Sequence, residues 1–322
     1  MAESREQLVK YLTDAHSIEE QALAQLRSAP DIAGDPAIAA VFRDHLAETE
    51  GHELAVRARL EALGAAPSRV KDVVMAVGGK GFLLFARFQP DTPGKLVAHA
   101  YSYEALEQAS YELLGRVAER LGDAETAAVA ARIGEQERAM KERLAAHFEE
   151  AAEASLRALG RDHLAGQLRS YLSDAHAIEA QATQLLERGP RLAGDPELAR
   201  IYAQHLEETR AQSRLVEERL DELGGSPSTL KDAALRLGAL NWGGFFQAHP
   251  DTPGKLAAFT YAFEHLEIGG YEQLARVARR AGDEPTAALA ERIVAQEQAM
   301  AERLQGAFER AVRASLEAQG VA

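Results

Sequence analysis

The sequence predicts an all-α protein made of two four-helix bundles that are related by internal duplication. Residues 11–160 align with residues 171–320 without a gap, and nearly half of the aligned positions are identical. Each copy is too long for a solenoid repeat, so we predict two domains, at residues 1–160 and 161–322. The composition is rich in Ala, Leu, Glu and Arg and contains only 6% aromatic residues. Such a composition, with apolar residues at helical spacing, is typical of long helices.

Charge and composition exclude several classes of protein. The chain has no cysteine, which excludes a disulfide framework and thiolate metal sites and suits a reducing cytoplasm. Its formal net charge of −14 disfavours nucleic acid as a partner. The polar start of the chain does not read as a signal peptide, and no apolar run approaches the length of a membrane span. We therefore expect a cytoplasmic protein without a nucleic-acid or membrane partner.

The first two helices of each copy are predicted from their apolar stripe and their start signals. Helix one covers Glu6–Arg27. Its stripe consists of Leu8, Leu12, Ala15, Ala22 and Leu26. Helix two begins at Asp35-Pro36, where an N-cap residue precedes proline at the first helical position, and it ends near Gly64.

The connection between the second and third helices is unusually long. It contains a short helical piece at Val70–Val77 and then a run rich in glycine and aromatic residues. Helix three is predicted from Thr92-Pro93 to Gly122-Asp123, and helix four from Ala124 to Leu159. Because a long crossover frees helices two and three from being antiparallel neighbours, we predict the up-down-down-up order of ferritin-like bundles.

Every predicted helix places an acid at or beside the middle of its apolar face. Helix one carries Glu19, helix two carries Glu48 beside His45, helix three carries Glu104 and Glu107, and helix four carries Glu137. The second copy keeps these residues as Glu179, His205, Glu208, Glu264, Glu267 and Glu297. Acids predicted to be exposed differ between the copies, as where Glu135 is replaced by Ala295.

Buried carboxylates need a physical explanation. Moving one ionised carboxylate into a protein interior costs several kcal/mol, and a domain's whole stability is about 5–15 kcal/mol. One solution is that the acids bind cations, since carboxylates and imidazoles suit iron, manganese or zinc. The other is a metal-free polar core whose acids are partly protonated or reach solvent. The residues leave both solutions open.

Histidine and tyrosine residues could support such a site. His16 precedes Glu19 by three residues, and His45 stands in the same relation to Glu48, so each pair shares a helix face. Both pairs recur, the first as His176 and Glu179. Each histidine is either part of a metal site or a hydrogen-bonded core residue. Tyr111 and Tyr271 are further supporting candidates, with core packing as the alternative. His52 is replaced by Gln212, so we do not include it among the candidate ligands.

Three motifs resemble the YciE/YciF-like stress proteins, which are ferritin-like domains of bacteria. They are Asp14-Ala15-His16-Ser17-Ile18-Glu19, His45-Leu46-Ala47-Glu48-Thr49, and Glu104-Ala105-Leu106-Glu107 followed by Tyr111. The resemblance covers nearly all of each copy. It implies a stress-response protein with one dinuclear iron or manganese site per bundle, zinc being a further candidate. It also implies the ligand positions Glu19, Glu48, Glu104 or Glu107, and Glu137, with the matching set in the second copy.

The sequence departs from ferritins at the usual Glu-x-x-His motifs. Three residues after Glu48 stands Gly51, and three residues after Glu137 stands Met140. The second copy has Ala211 and Met300 at these positions. If metal binds, we therefore expect a set of ligands that is carboxylate-rich or that takes an imidazole from His16 or His45.

Three functions fit these observations. The first is a dimetal protein that handles oxygen, peroxide or iron. The second is a metal-free structural or partner-binding stress protein built as a fused bundle dimer. The third is a small-molecule binder that uses the aromatic crossover as a lid. The sequence does not decide whether the protein is an enzyme, and a homo-oligomer is compatible with each function.

Overall fold

A computed structural model of the chain describes residues 2–67, 92–157, 163–226 and 252–321. The predicted crossover segments, including Val70–Val77, lie outside these residues. The described part is all-helical, with no strand, and none of its helices is both long and apolar enough to span a membrane. The eleven helices are α1 Ala2–Leu26, α2 Ala29–Ile32, α3 Pro36–Ala62, α4 Thr92–Leu121, α5 Ala124–Ala146, α6 Phe148–Leu156, α7 Leu164–Leu192, α8 Pro196–Glu222, α9 Thr252–Ala281, α10 Glu284–Gly306 and α11 Phe308–Glu317.

The chain forms two compact units, Met1–Arg157 and Ala158–Ala322, which correspond to the two sequence repeats. In the first unit, α1, α3, α5 and α4 form a closed ring in which each helix packs against the next. In the second unit, α7, α8, α10 and α9 form the same ring. The second and third long helices therefore lie at opposite corners, which leaves a space at the centre of each ring for side chains from all four helices.

The predicted helix starts are confirmed by their hydrogen bonds. Asp35 caps α3, since its Oδ1 accepts a hydrogen bond from the Ala37 amide at 2.8 Å. Asp123 caps α5 in the same way through the Thr126 amide at 2.9 Å. A side-chain oxygen at this position satisfies amide groups that have no partner inside the helix. The chain leaves α4 through Gly122 with φ +76°, a conformation that glycine adopts without steric cost.

The prediction of one continuous fourth helix is wrong. The helix is interrupted at His147 in the first unit and at Ala307 in the second, so α6 and α11 are separate. After each break a phenylalanine packs edge-on against a tyrosine of the third long helix. The ring centroids are 5.2 Å apart for Phe148 and Tyr101, and 5.5 Å apart for Phe308 and Tyr261. The short helix packs on the third long helix in each unit, and this tertiary contact outweighs the local preference for a continuous helix.

Candidate metal centres

Each unit contains one buried group of four side chains that could hold a metal ion. In the first unit these are His45, Glu104, Glu107 and Glu137, and in the second unit they are His205, Glu264, Glu267 and Glu297. Within each group, one nitrogen or oxygen atom from every residue lies within 4.8 Å of the others. The eight residues occupy equivalent positions of the two repeats, so the sequence has built the same group twice.

Helical periodicity brings these side chains together. On α4, Glu104 and Glu107 are three residues apart and thus project from the same face. On α5, Glu137 lies between the buried side chains of Ile133 and Met140. On α3, His45 lies three residues after the buried Phe42. Because α3 and α4 lie at opposite corners of the ring, their inner faces meet at its centre.

The imidazole of the second long helix lies against two carboxylates. His45 Nε2 is 3.1 Å from Glu104 Oε2 and 3.5 Å from Glu137 Oε2. In the second unit, His205 Nε2 is 2.9 Å from Glu264 Oε2 and 3.5 Å from Glu297 Oε2. One ring nitrogen in each unit therefore faces one carboxylate of the opposite helix and one of a neighbouring helix.

Glu48 lies at the edge of the group, and its side chain is 34% exposed. Its Oε2 lies 3.1 Å from the other nitrogen of His45, Nδ1, and accepts a hydrogen bond from Arg143 at 2.5 Å. These contacts hold the pKa of Glu48 at about 2, the largest effect being the bond with His45. Glu208 makes the same contacts with His205 and Arg303. The predicted ligands Glu48 and Glu208 thus lie outside the four-residue groups and contact their histidines from the solvent side.

Glu19 is completely buried and accepts a hydrogen bond from Tyr111 Oη. Glu179 accepts the matching bond from Tyr271 at 2.5 Å. Each tyrosine therefore contacts a predicted ligand directly. Glu19 also belongs to a further group that could hold a metal ion, with His52 and Glu137.

His52, which is not among the ligands predicted from the sequence, lies inside the first unit. It is 1% exposed, and its Nδ1 lies 2.7 Å from Glu137 Oε1. Its signal in the sequence is the spacing, because position 52 follows position 45 by two helical turns and so shares the buried face of α3. Gln212 occupies the same place in the second unit, where its amide donates to Glu297 Oε1.

His16 is buried and contacts a different acid. Its Nε2 lies 2.8 Å from Glu53 Oε1, an oxygen to which Arg57 Nε also donates at 2.8 Å. His16 and Glu53 form a separate group with Glu20. The second copy has Ala180 and Ser213 at the positions of the two acids, and His176 belongs to no equivalent group among the described residues.

Burial dominates the electrostatics of both centres. Burial raises the pKa of Glu104 to about 7 and that of Glu107 well above its usual value, and in Glu107 the neighbouring Glu137 adds to the effect. Burial opposes the charge on His45, but Glu104, Glu48 and Glu137 together outweigh burial and raise the pKa of the imidazole. In the second unit, burial raises the pKa of Glu179 to about 8 and that of Glu267 well above its usual value.

The equivalent acids Glu137 and Glu297 differ in the direction in which their pKa values are shifted. Burial opposes the ionised form of both. The imidazoles of His52 and His45 outweigh burial at Glu137 and lower its pKa. At Glu297, burial and the neighbouring Glu264 raise the pKa. The second unit has Gln212 in place of His52, and a neutral amide cannot supply the same compensation.

Several carboxylate oxygens at the centres make no hydrogen bond with described residues. These include both oxygens of Glu107 and both oxygens of Glu267. Leaving a buried acceptor unpaired costs about 1–3 kcal/mol. Clustered carboxylate oxygens with one imidazole nitrogen are the ligands that iron, manganese and zinc accept. The residues present therefore fit a bound divalent metal.

A small cavity lies beside the first centre. It has a volume of about 20 Å³ and is lined by the polar side chains of Glu104, Tyr103, His99 and Gln25 together with apolar side chains of α1, α2, α3 and α4. This volume holds about one water-sized molecule. The cavity thus gives a small molecule room next to one carboxylate of the centre.

The comparisons with known proteins agree with the duplication. A family described as "Domain of unknown function (DUF892)" matches twice, at residues 3–157 and 164–317. The chain is 28% identical over 138 residues to "Protein YciF" of Escherichia coli (strain K12), which covers 40% of this chain and 80% of that protein. No solved structure matches the chain at a significant level.

Proposed function

The chain belongs to the DUF892 family, and we propose that each of its units is a ferritin-like four-helix bundle that binds divalent metal ions at its centre. The observation that carries the proposal is the position of Glu107 and Glu267. Each is 1% exposed, lies in a group of one histidine and three glutamates, and has two oxygens without a hydrogen bond. A divalent cation would satisfy these oxygens and offset the repulsion among the acids.

The residues have distinct roles in this proposal. His45 Nε2 and oxygens of Glu104, Glu107 and Glu137 hold the metal. Glu48 accepts from His45 Nδ1 and thereby directs the Nε2 lone pair toward the carboxylates. His45 would keep the proton on Nδ1 and give up the proton on Nε2 when metal binds. Arg143 keeps Glu48 ionised at the rim.

A bound iron or manganese centre would supply redox chemistry toward dioxygen or peroxide. The cavity beside Glu104 leaves room for about one water molecule next to this carboxylate. The resemblance to stress proteins and the absence of cysteine support a stress-response role in the cytoplasm. Zinc fits the same donors without redox chemistry.

A metal-free core is the second candidate, and the raised pKa values favour it. With the pKa of Glu104 at about 7 and that of Glu179 at about 8, several acids are partly or fully protonated at neutral pH. Such a core would be a structural element of a fused bundle dimer that binds partner proteins through its surface.

Elemental analysis separates the two candidates. The full chain would be purified from cells grown with iron, manganese or zinc, beside a Glu107→Gln/Glu267→Gln double variant. We expect metal in the wild type and a strong loss in the double variant, with Glu135→Gln as the exposed control. Metal-free wild-type protein from all three cultures would favour the structural role.

A further inference from the structure

The two centres differ at one position that faces the metal-binding groups. Position 52 is histidine in the first unit, and the equivalent position 212 is glutamine in the second. Both side chains are buried, and both contact the glutamate of the fourth long helix. The residues of the four-membered group are identical in the two units.

In the first unit, the two oxygens of Glu137 face two imidazoles. Oε2 is 3.5 Å from His45 Nε2, and Oε1 is 2.7 Å from His52 Nδ1. Glu137 therefore belongs to two groups, one with His45, Glu104 and Glu107 and one with Glu19 and His52. A carboxylate that offers one oxygen to each group can bridge two ions, which lie about 3.5–4 Å apart in two-metal sites. The two imidazole centroids are 6.4 Å apart, which leaves room for such a pair.

His52 is oriented as a ligand. Its Nε2 lies 3.2 Å from Gln136 Oε1, an atom that can only accept, so the proton belongs on Nε2. When a cation binds, Nδ1 gives up the proton that pairs it with Glu137 Oε1 in the metal-free protein and offers its lone pair instead. An outer contact that fixes the tautomer of a histidine in this way is typical of metal-bound imidazoles.

In the second unit, the matching oxygen is Glu297 Oε1, and it already accepts a hydrogen bond. Gln212 Nε2 donates to Glu297 Oε1 and lies 3.3 Å from Gln296 Oε1. An amide nitrogen has no lone pair for a metal, whereas an imidazole nitrogen does. Turning the amide would place its oxygen against Glu297 Oε1 and break both hydrogen bonds. Among the described residues of this unit, only the group with His205, Glu264 and Glu267 brings ligand atoms together around Glu297.

We propose that the two units bind different numbers of divalent ions, two in the first and one in the second. In the first unit, His45, Glu104 and Glu107 would hold one ion, Glu19 and His52 would hold the other, and Glu137 would contribute to both. The second unit holds a single ion between His205 and the three glutamates. This inference rests on the proposed function, because it assumes that the centres bind metal.

The test is the metal stoichiometry of the full chain. Wild-type protein, His52→Gln and Gln212→His would be freed of metal with a chelator and titrated with Mn²⁺ by calorimetry, with the bound metal measured after dialysis. We expect three ions per chain for the wild type, two for His52→Gln and four for Gln212→His. Each variant gives one unit the residue that the other unit has at the equivalent position, so both variants should fold. Circular dichroism would verify this.

Electron paramagnetic resonance adds a readout that does not depend on counting. Mn²⁺ pairs bridged by a carboxylate give a spin-coupled spectrum, whereas single ions do not. We expect the coupled signal in the wild type, its loss in His52→Gln, and its enhancement in Gln212→His. Glu135→Gln should leave stoichiometry and spectrum unchanged.

The outcomes separate failure of the inference from failure of the proposed function. Two or four ions per chain in the wild type, or three in His52→Gln, would overturn the inequality of the units while leaving the metal site in place. No binding by any of the proteins would overturn both the proposed function and the inference.

Discussion

Glu179 provides a test of how costly the buried acids are in the metal-free protein. Its side chain is completely buried, and burial raises the pKa of its carboxyl group from 4.5 to about 8. The folded protein therefore retains this proton at pH 7, whereas the unfolded chain releases it above its ordinary pKa. Retaining the proton costs about 1.36 kcal/mol for each pH unit above the unfolded value, which amounts to about 3 kcal/mol at pH 7.

The substitution Glu179→Gln should remove this cost. The amide has the shape of the neutral carboxyl group, and its oxygen can still accept the hydrogen bond that Tyr271 Oη donates at 2.5 Å. We expect the metal-free variant to be about 3 kcal/mol more stable than the wild type at pH 7. For a unit of this size that corresponds to a rise of about 6–12 °C in Tm.

The pH dependence fixes the sign of the effect. Because the folded pKa is raised, the wild-type carboxyl costs no stability below the unfolded pKa of 4.5 and costs progressively more as the pH rises toward 8. The advantage of Glu179→Gln should therefore be near zero at pH 4.5 and grow with pH. Urea unfolding of chelator-treated protein, followed by circular dichroism across this range, measures it.

The control for this experiment is Glu187→Gln. Glu187 is 50% exposed and pairs with Arg210 at the surface, so its replacement should change stability by less than about 1 kcal/mol. A gain for Glu179→Gln that is the same at every pH, or no gain at pH 7, would refute the claim that this acid is held neutral by burial.

Three further predictions concern the metal. Removing metal with a chelator should lower Tm, because free metal at a hundred times its Kd stabilises the native state by about 2.7 kcal/mol; an unchanged Tm with iron, manganese and zinc would favour the metal-free core. Glu137→Gln should lower the metal content of the first unit and leave the second loaded, whereas the exposed Glu135→Gln should match the wild type in elemental analysis. Glu48→Gln should weaken metal binding by about 10–100-fold without changing the stoichiometry in a calorimetric titration, since Glu48 orients His45 and does not hold the ion; loss of a whole equivalent would make Glu48 a ligand.

The helices that carry the centres were predictable because their signals are local. Asp35 caps the start of α3 and Asp123 caps the start of α5, and aspartate is one of the few residue types whose side chain can accept a hydrogen bond from the first amides of a helix. The break at His147 has no such signal, since neither proline nor glycine marks it in the first copy. The break depends on the contact between Phe148 and Tyr101, two residues that are far apart in the sequence.

The acids of the centres were predictable for an energetic reason. A carboxylate in the middle of an apolar stripe is costly, so its presence in both copies points to a shared requirement. The choice among the polar residues of α3 was harder. The buried face of that helix contains His45, Thr49, His52 and Val56, and Glu48 points away from it toward Arg143. Helical spacing therefore favoured His52 as the ligand from α3, whereas the comparison of the two copies favoured Glu48.

Comparison of the two copies did not identify His52 as a ligand, because residues kept in both copies reveal only what both units need. Both need a donor against the glutamate of α5 or α10, and histidine and glutamine each place a nitrogen there. The two side chains become different only toward a cation, where the imidazole can offer a lone pair and the amide nitrogen cannot. A duplicated protein can in this way keep one fold and one buried acid cluster while giving its two centres different capacities for metal. In our proposal, position 52 is therefore where the metal chemistry of the two units differs.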